Sequence, residues 1–276
     1  MAKNAPLGII MGKGDLPSLL IDFCKRKKHP YILLPIKSQA DTSFVQQHPH
    51  VWISFGQVKK NIHLLKQHNI KQLVFVGNVN RPPLFALKLD WTGLKWLACI
   101  GWKALGDDGL LSGIIQFLEK EGFEIVGVHQ LIQDLLMPQG SLGKINPSNE
   151  DKKNIALGFA AAKELGRQDI GQGVIVQNGV VLARETIKGT DWMITESSSL
   201  LQDSGSAILV KVLKPKQEKR IDLPTIGPET IENLARCGYK GVALEAKAGL
   251  ILHSKKTIKL ADQKGIFIYG VSAEEI

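Results

Sequence analysis

Short apolar runs of strand length alternate with runs at helical spacing through the first half of this chain, and that alternation constrains its fold most. Gly8–Met11 reads as a strand and Leu16–Lys27 as a helix; Tyr31–Pro35 is again a strand and Val58–His68 a helix. Leu73–Val76 then forms a strand ending at Gly77-Asn78. Leu110, Ile114, Ile115, Phe117 and Leu118 mark a helix over Gly109–Glu121, and Phe123–Val128 reads as a further strand. Strands separated by helices cannot pair as hairpins. They pair in parallel, with the crossover helices covering the sheet, so the fold class is α/β.

Composition shifts to Pro, Gly, Ser and Asn between Pro138 and Glu150, which marks a domain boundary. Two domains also suit a chain of 276 residues. The second half has a different texture. A helix over Glu150–Leu165 precedes Gly173–Gln177 and Val180–Arg184, two strands flanking the hairpin turn Asn178-Gly179. Strands over Ala207–Leu213, Val242–Glu245 and Ile266–Tyr269 alternate with helices over Pro228–Cys237 and Lys255–Lys264. A hairpin among such units predicts a mixed sheet.

Composition excludes several function classes. With 44% hydrophobic and 22% charged residues, the chain is an ordinary globular one. Its formal charge of +9 favours anionic partners. The cations are scattered, however, and aromatics are only 6% of residues, so nucleic acid is not the expected partner. The 3 cysteines, Cys24, Cys99 and Cys237, stand far apart, as reduced thiols do in a cytoplasmic protein. The N-terminus lacks the apolar core of a signal peptide. Leu84–Leu105 carries Trp91, Trp96 and Trp102 but is interrupted by Lys88, Asp90, Lys95 and Lys103. It is too charged to span a bilayer. It suits either a core-facing amphipathic helix or one lying at the headgroup level.

The densest chemistry is in Lys214–Pro228. Lys214, Lys216, Lys219 and Arg220 crowd against Asp222, and a Pro- and Gly-bounded turn containing Thr225 follows. Cations there stabilise phosphate oxygens, while the carboxylate holds a divalent metal or orients a water. The competing reading is a solvated basic loop in which Asp222 caps a turn.

Three further stretches are candidates in the first half. Gly12 and Gly14, after the first strand, let backbone amides approach a ligand at a helix N-terminus. Asn78 and Arg81 follow another strand, at the edge where α/β sheets gather ligands, and Arg81 has the fork that clamps phosphate. Asp107 and Asp108 open a helix, where they serve either Mg²⁺ or the helix cap. The histidines have no zinc spacing, and no serine-nucleophile elbow occurs.

Taken in order, these motifs resemble the LpxI-type UDP-2,3-diacylglucosamine pyrophosphatases of lipid A biosynthesis. The resemblance runs from Leu7–Pro17 through Gly77-Asn78-Val79, Arg81-Pro82, Gly106–Gly109 and Asp134-Leu135-Leu136. It continues through Asp169–Gln172, Val176–Ala183, Gly189-Thr190-Asp191, Lys211, Lys214-Pro215 and Arg220–Pro228. It implies a Rossmann-like N-terminal domain over 1–137 and a C-terminal catalytic domain over 138–276 with a mixed sheet. It also implies an Mg²⁺-dependent hydrolase yielding UMP and 2,3-diacylglucosamine 1-phosphate (lipid X), with the lipid held between the halves in an aliphatic slot.

On this resemblance Asp222 either ligates the metal or accepts a proton from water, with Asp191 and Glu185 as further metal ligands. Lys211, Lys214 and Arg220 neutralise charge on the leaving phosphate. Thr190 and Thr225 bond phosphate oxygens, Gly12, Gly14, Asn78 and Arg81 hold the UDP side, and Asp107 and Gln177 complete the substrate contacts. The expected location is cytoplasmic, with peripheral contact at the inner membrane surface. The oligomeric state is open. The rivals are a nucleotide-sugar transferase and a non-catalytic protein that binds phospholipid or nucleotide.

Overall fold

The structure is a computed structural model that describes residues 5–79, 89–100, 107–202, 206–215 and 217–276, with the side chains of 97–100 and 107–108 excepted. Arg81, Lys216 and both ends of Leu84–Leu105 (84–88 and 101–105) therefore lie outside the described residues, as does the side chain of Asp107. The chain divides into two compact units, Met1–Ile132 and Gln133–Ile276.

The first unit runs β1 (Leu7–Met11), α1 (Leu16–Lys27), β2 (Tyr31–Pro35), α2 (Thr42–Val45), α3 (Val58–Gln67) and β3 (Gln72–Val76). It continues with α4 (Trp91–Ile100), α5 (Asp107–Lys120), β4 (Glu124–Ile125) and α6 (Val128–Leu131). Its sheet has the order β2-β1-β3-β4, parallel throughout. All five residues of β1 are buried, as a strand flanked on both edges and covered on both faces must be. The order reverses at β1: the chain steps to β2 on one side, then returns to β3 on the other. Right-handed crossovers place α1 and α3 on opposite faces and open a crevice at the carboxyl ends of β1 and β3.

Phe123–Val128 departs from expectation. Only Glu124 and Ile125 pair with β3, because Gly127, in extended conformation, starts α6 at Val128. Within α4, Trp96 donates to the Gly113 carbonyl of α5 at 3.3 Å and packs on Phe117. Trp91 and Leu94 face solvent, 70% and 48% exposed. The described part of this segment is thus both core-facing and exposed.

The second unit runs β5 (Gly140–Leu142), α7 (Asn149–Arg167), β6 (Gly173–Gln177), β7 (Val180–Arg184), α8 (Thr190–Ser197) and β8 (Ile208–Lys211). After these come β9 (Thr225–Ile226), α9 (Pro228–Arg236), β10 (Gly241–Glu245), β11 (Leu250–Ile251), α10 (Ser254–Lys264) and β12 (Phe267–Val271). The mixed sheet has the order β5-β12-β10-β8-β6-β7. β8, β10 and β12 are parallel; β6, β7 and β5 run against their neighbours. The β6–β7 hairpin closes at Asn178 and Gly179, whose φ angles of 49° and 75° suit a two-residue turn between twisted strands.

Apolar clusters fill both sides of this sheet. One gathers Ile175, Leu209, Val242, Leu244 and Ile268 with α8, α9 and α10; the other gathers Val174, Val176, Ile208, Val210 and Phe267 with α7. Met137 is fully buried in the first of these, so residues 133–137 pack with the second unit. The Pro- and Gly-rich stretch after Pro138 contributes an edge strand, β5, paired antiparallel to β12.

Ser148 opens α7 with a reciprocal cap. Its hydroxyl accepts from the Asp151 amide at 3.2 Å, and its amide donates to Asp151 Oδ2 at 2.7 Å. Burial pushes the Asp151 carboxyl up, but bonds from Lys240 and Ser148 outweigh burial and hold it below the usual carboxylate range. A carboxyl depressed in the folded state stabilises fully above its unfolded pKa of about 3.9 and loses that contribution as pH falls through the folded value. Asp151→Asn should therefore lower the melting temperature at pH 7, with the gap to the parent closing as thermal scans are taken toward pH 3. A gap of constant size would contradict this coupling.

Candidate active site

Two loop clusters carry the sequence-predicted residues, one in each unit. In the first unit the segments after β1 and β3 meet at the crevice. Lys13 and Asn78 exchange backbone bonds, Lys13 N–H to the Asn78 carbonyl at 2.9 Å and Asn78 N–H to the Lys13 carbonyl at 2.7 Å. Gly12 donates to the Val76 carbonyl at 3.0 Å. Gly12 and Asn78 are thus brought together, and Gly14 stands beside them at φ 109° with open space where a Cβ would be.

The second cluster lies outside the carboxyl ends of β8 and β10, where α/β sheets place their sites. Lys211 ends β8, paired with Gly173 on one side and Leu244 on the other. Its ammonium is buried, and it donates to Thr190 Oγ1 at 2.9 Å and to the Thr225 carbonyl at 3.3 Å. Thr190 in turn donates to Glu185 Oε1 at 2.5 Å, while Glu185 Oε2 accepts from the Gln172 amide at 2.9 Å. Lys214, also buried, pairs with Asp169 Oδ1 at 2.7 Å.

Asp222 faces this group. Burial pushes its carboxyl above the usual carboxylate range, against the pull of Lys214, Lys211 and a hydrogen bond from Gln217, with Glu185 adding to the rise. Gln217 donates its side-chain N–H to Asp222 Oδ2. Among the described residues nothing donates to Oδ1. A partly buried carboxylate with one free oxygen, beside two buried ammonium groups, is built to meet an anion through the cations while keeping a base or metal ligand at its side.

The side chains of the remaining predicted residues have other partners. Arg220 turns its Nε and Nη2 onto Glu218, each at 2.9 Å, within its own loop. Thr225 donates its hydroxyl to the Leu223 carbonyl at 2.9 Å. Asp191 is exposed on α8 and accepts from Asn233 of α9 at 3.0 Å. Gln177 sits at the far end of β6, about 13 Å along the strand from Gly173. There it bonds Ser206 and the Gln202 amide.

Sequence reasoning passed over Gln217, an uncharged residue among the cations of its own loop, and did not give Asp169 a role, because Asp169 meets Lys214 only through folding, from 45 positions away. An open depression of about 510 Å³ lined by Lys144, Lys255 and Asp262 shares no residue with the Asp222 cluster.

The donor set permits a test for Mg²⁺. Of Asp222, Glu185 and Asp191, only Asp222 has a free oxygen inside the cluster, since both oxygens of Glu185 are engaged and Asp191 lies on the α8–α9 face. No group of three His, Cys, Asp or Glu side chains among the described residues is arranged as a metal cage. One carboxylate is nevertheless enough for Mg²⁺, which takes its other ligands from waters and substrate phosphates. The residues fit the ion in this reduced form.

Comparison with known proteins agrees with the ordered motifs. The LpxI N-terminal domain model matches residues 6–135, and the LpxI C-terminal domain model matches residues 138–269. The chain belongs to the LpxI family. It is 37% identical over 276 residues to the UDP-2,3-diacylglucosamine pyrophosphatase LpxI of Caulobacter vibrioides, covering 98% of each chain. The Lys211, Lys214 and Asp222 cluster lies wholly within the LpxI C-terminal match, and the joined Gly12 and Asn78 loops lie within the N-terminal one.

Proposed function

We propose that this chain hydrolyses the phosphoanhydride of UDP-2,3-diacylglucosamine to UMP and 2,3-diacylglucosamine 1-phosphate in lipid A synthesis. The observation that carries the reading is the partly buried Asp222 beside the buried Lys211 and Lys214, in a member of this family. Lys211 and Lys214 receive phosphate oxygens and offset the charge that grows on the leaving phosphate. Water adds to one phosphorus, the bridging P–O bond breaks, and the water's proton passes to a carboxylate. Asp222 is the carboxylate with an oxygen available for it. In the alternative role that same oxygen would hold Mg²⁺, which would supply polarisation of the pyrophosphate oxygens when bound. Gln217 keeps the carboxylate turned toward the cations, and Glu185 with Thr190 keeps Lys211 in place.

Gly12, Gly14, Asn78 and Arg81 remain the proposed contacts for the UDP side. The protein is proposed to work in the cytoplasm. Trp91, Leu94 and Lys95 on α4 give it a surface for peripheral contact with the anionic face of the inner membrane. Among the described residues no helix is long and apolar enough to cross a membrane.

Incubation of the protein with UDP-2,3-diacylglucosamine tests the reading. UMP should accumulate with Mg²⁺, without any acceptor, and should stop on chelation. Release of UDP, a requirement for an acceptor, or retention of intact substrate would point to a transferase or a binding protein. Undiminished turnover after chelation would remove the metal from the account.

A further inference from the structure

Behind the Asp222 cluster lies an ion pair that the proposed chemistry does not use. Lys163, on α7, meets both oxygens of Glu245 at the end of β10, at 2.8 and 2.7 Å. The pair is largely buried, its side chains 20% and 15% exposed. Such burial costs both ions their hydration, and the cost is recovered only when further hydrogen bonds complete the pair.

Here the main chain of Leu213 completes it. Lys163 donates to the Leu213 carbonyl at 2.9 Å, and the Leu213 amide donates to Glu245 Oε2 at 2.8 Å. One peptide segment is thus gripped at both its N–H and its C=O by opposite charges from two different elements.

The residue so gripped immediately precedes Lys214. The stem of Lys214 lies across α7 at Gly166, where an added Cβ would stand 3.2 Å from the lysine Cβ and Cγ. The Lys214 amide donates to Gln217 Oε1 at 3.2 Å, the Gln217 amide returns to the Lys214 carbonyl at 3.1 Å, and the Gln217 side-chain N–H reaches Asp222. A continuous path of bonds therefore runs from the Lys163–Glu245 pair through Leu213, Lys214 and Gln217 to the Asp222 carboxylate.

We propose that Lys163 and Glu245 are positioning residues for phosphoanhydride cleavage, clamping Leu213 so that Lys214 and, through Gln217, Asp222 stand in register for the substrate. The proposal rests on the hydrolase reading above. It adds two residues, 82 positions apart in the chain, to the machinery of that site. Neither touches the substrate. Their effect is on the spacing of groups that do, and small misplacements there are costly to rate.

The test uses the full chain. Replacing one ion alone strands the other, so the informative variant is the double apolar one, Lys163→Met with Glu245→Leu, which removes both charges together. Lys163→Arg, which keeps a donor for Glu245 and the Leu213 carbonyl, serves as the conservative control. For the double variant kcat should fall about tenfold or more while KM changes less than about twofold, the pattern of an interaction expressed in the transition state. Lys163→Arg should recover most of the loss. In a Gln217→Ala background the double variant should cost less than it does in the parent, because the arm to Asp222 is already cut and only the one through Lys214 remains.

Hydrogen exchange of the 212–218 segment gives a readout independent of turnover: protection at the Leu213 amide should be lost in the double variant and kept in Lys163→Arg. Full kcat in a folded double variant would overturn the proposal, as would an undiminished further loss in the Gln217→Ala background or unchanged protection at Leu213. If the parent chain itself fails to cleave the substrate, the hydrolase reading fails, and with it the catalytic part of the proposal. The exchange data would then decide the clamp alone.

Discussion

Asp222→Asn should lower kcat for cleavage of UDP-2,3-diacylglucosamine by about 10³-fold, the scale expected when a general base is removed. The protein should stay folded, and at neutral pH its melting temperature should hold or rise. The sign follows from burial. A carboxyl raised above its unfolded pKa holds its proton more tightly in the folded chain, so folding loses stability as pH climbs through that window. Asparagine removes the buried charge and still accepts from Gln217. Lys211 keeps Thr190 and the Thr225 carbonyl, and Lys214 keeps Asp169, so neither cation is left alone. The parent's turnover should fall on the acid side at a pH above the usual carboxylate range. Steady-state kinetics with differential scanning fluorimetry check both parts; a folded variant with near-normal kcat would take Asp222 out of the chemistry.

Gly12→Ala should produce the largest loss of stability among the site residues. The new methyl would stand 2.0 Å from the Asn78 carbonyl oxygen and 2.6 Å from its carbon. Those are backbone atoms fixed by the reciprocal Lys13–Asn78 bonds, so they cannot rotate away as a side-chain tip would. The two loops must separate or strand β1 must shift, at a cost of about 3 kcal/mol. A melting temperature lowered by roughly 10 °C, on the scaling for small domains, is the expected result. Lys13→Ala, which leaves those backbone bonds intact, should change it little. If Gly12→Ala melts with the parent, the loop junction is looser than described.

The elements legible in the sequence were those whose signal is local. The bounds of α1 and β2 follow apolar spacing and the flanking Pro and Gly residues, and the hairpin follows Asn178-Gly179. Helix α8 was not legible, because Thr190–Ser197 is rich in β-branched and hydroxyl residues that favour other conformations. It is held from outside, by burial of Met193 and Ile194 and by the 2.8 Å contact of the Ser197 and Tyr239 hydroxyls. β5 and β9 are likewise created by their partners, β12 and β11.

The candidate site divides the same way. Asp222 and Lys214 share one loop, and their crowding is visible in the sequence. The Glu185–Thr190–Lys211 chain joins the loop after β7 to the end of β8, and the sequence shows these residue types without showing that they meet. Arg220 looked equivalent to Lys214 by spacing, yet Glu218, two residues away, captures its fork. Gln177 carried a hairpin motif, and its side chain bonds Ser206 and the Gln202 amide.

Phosphorus NMR of the protein with UDP-2,3-diacylglucosamine and Mg²⁺ tests most directly whether the Lys211, Lys214 and Asp222 cluster splits a phosphoanhydride. The paired pyrophosphate resonances should give way to two phosphomonoester resonances with the parent chain and persist with Asp222→Asn. Pyrophosphate signals that persist with the parent, or that vanish equally fast with Asp222→Asn, would contradict the account.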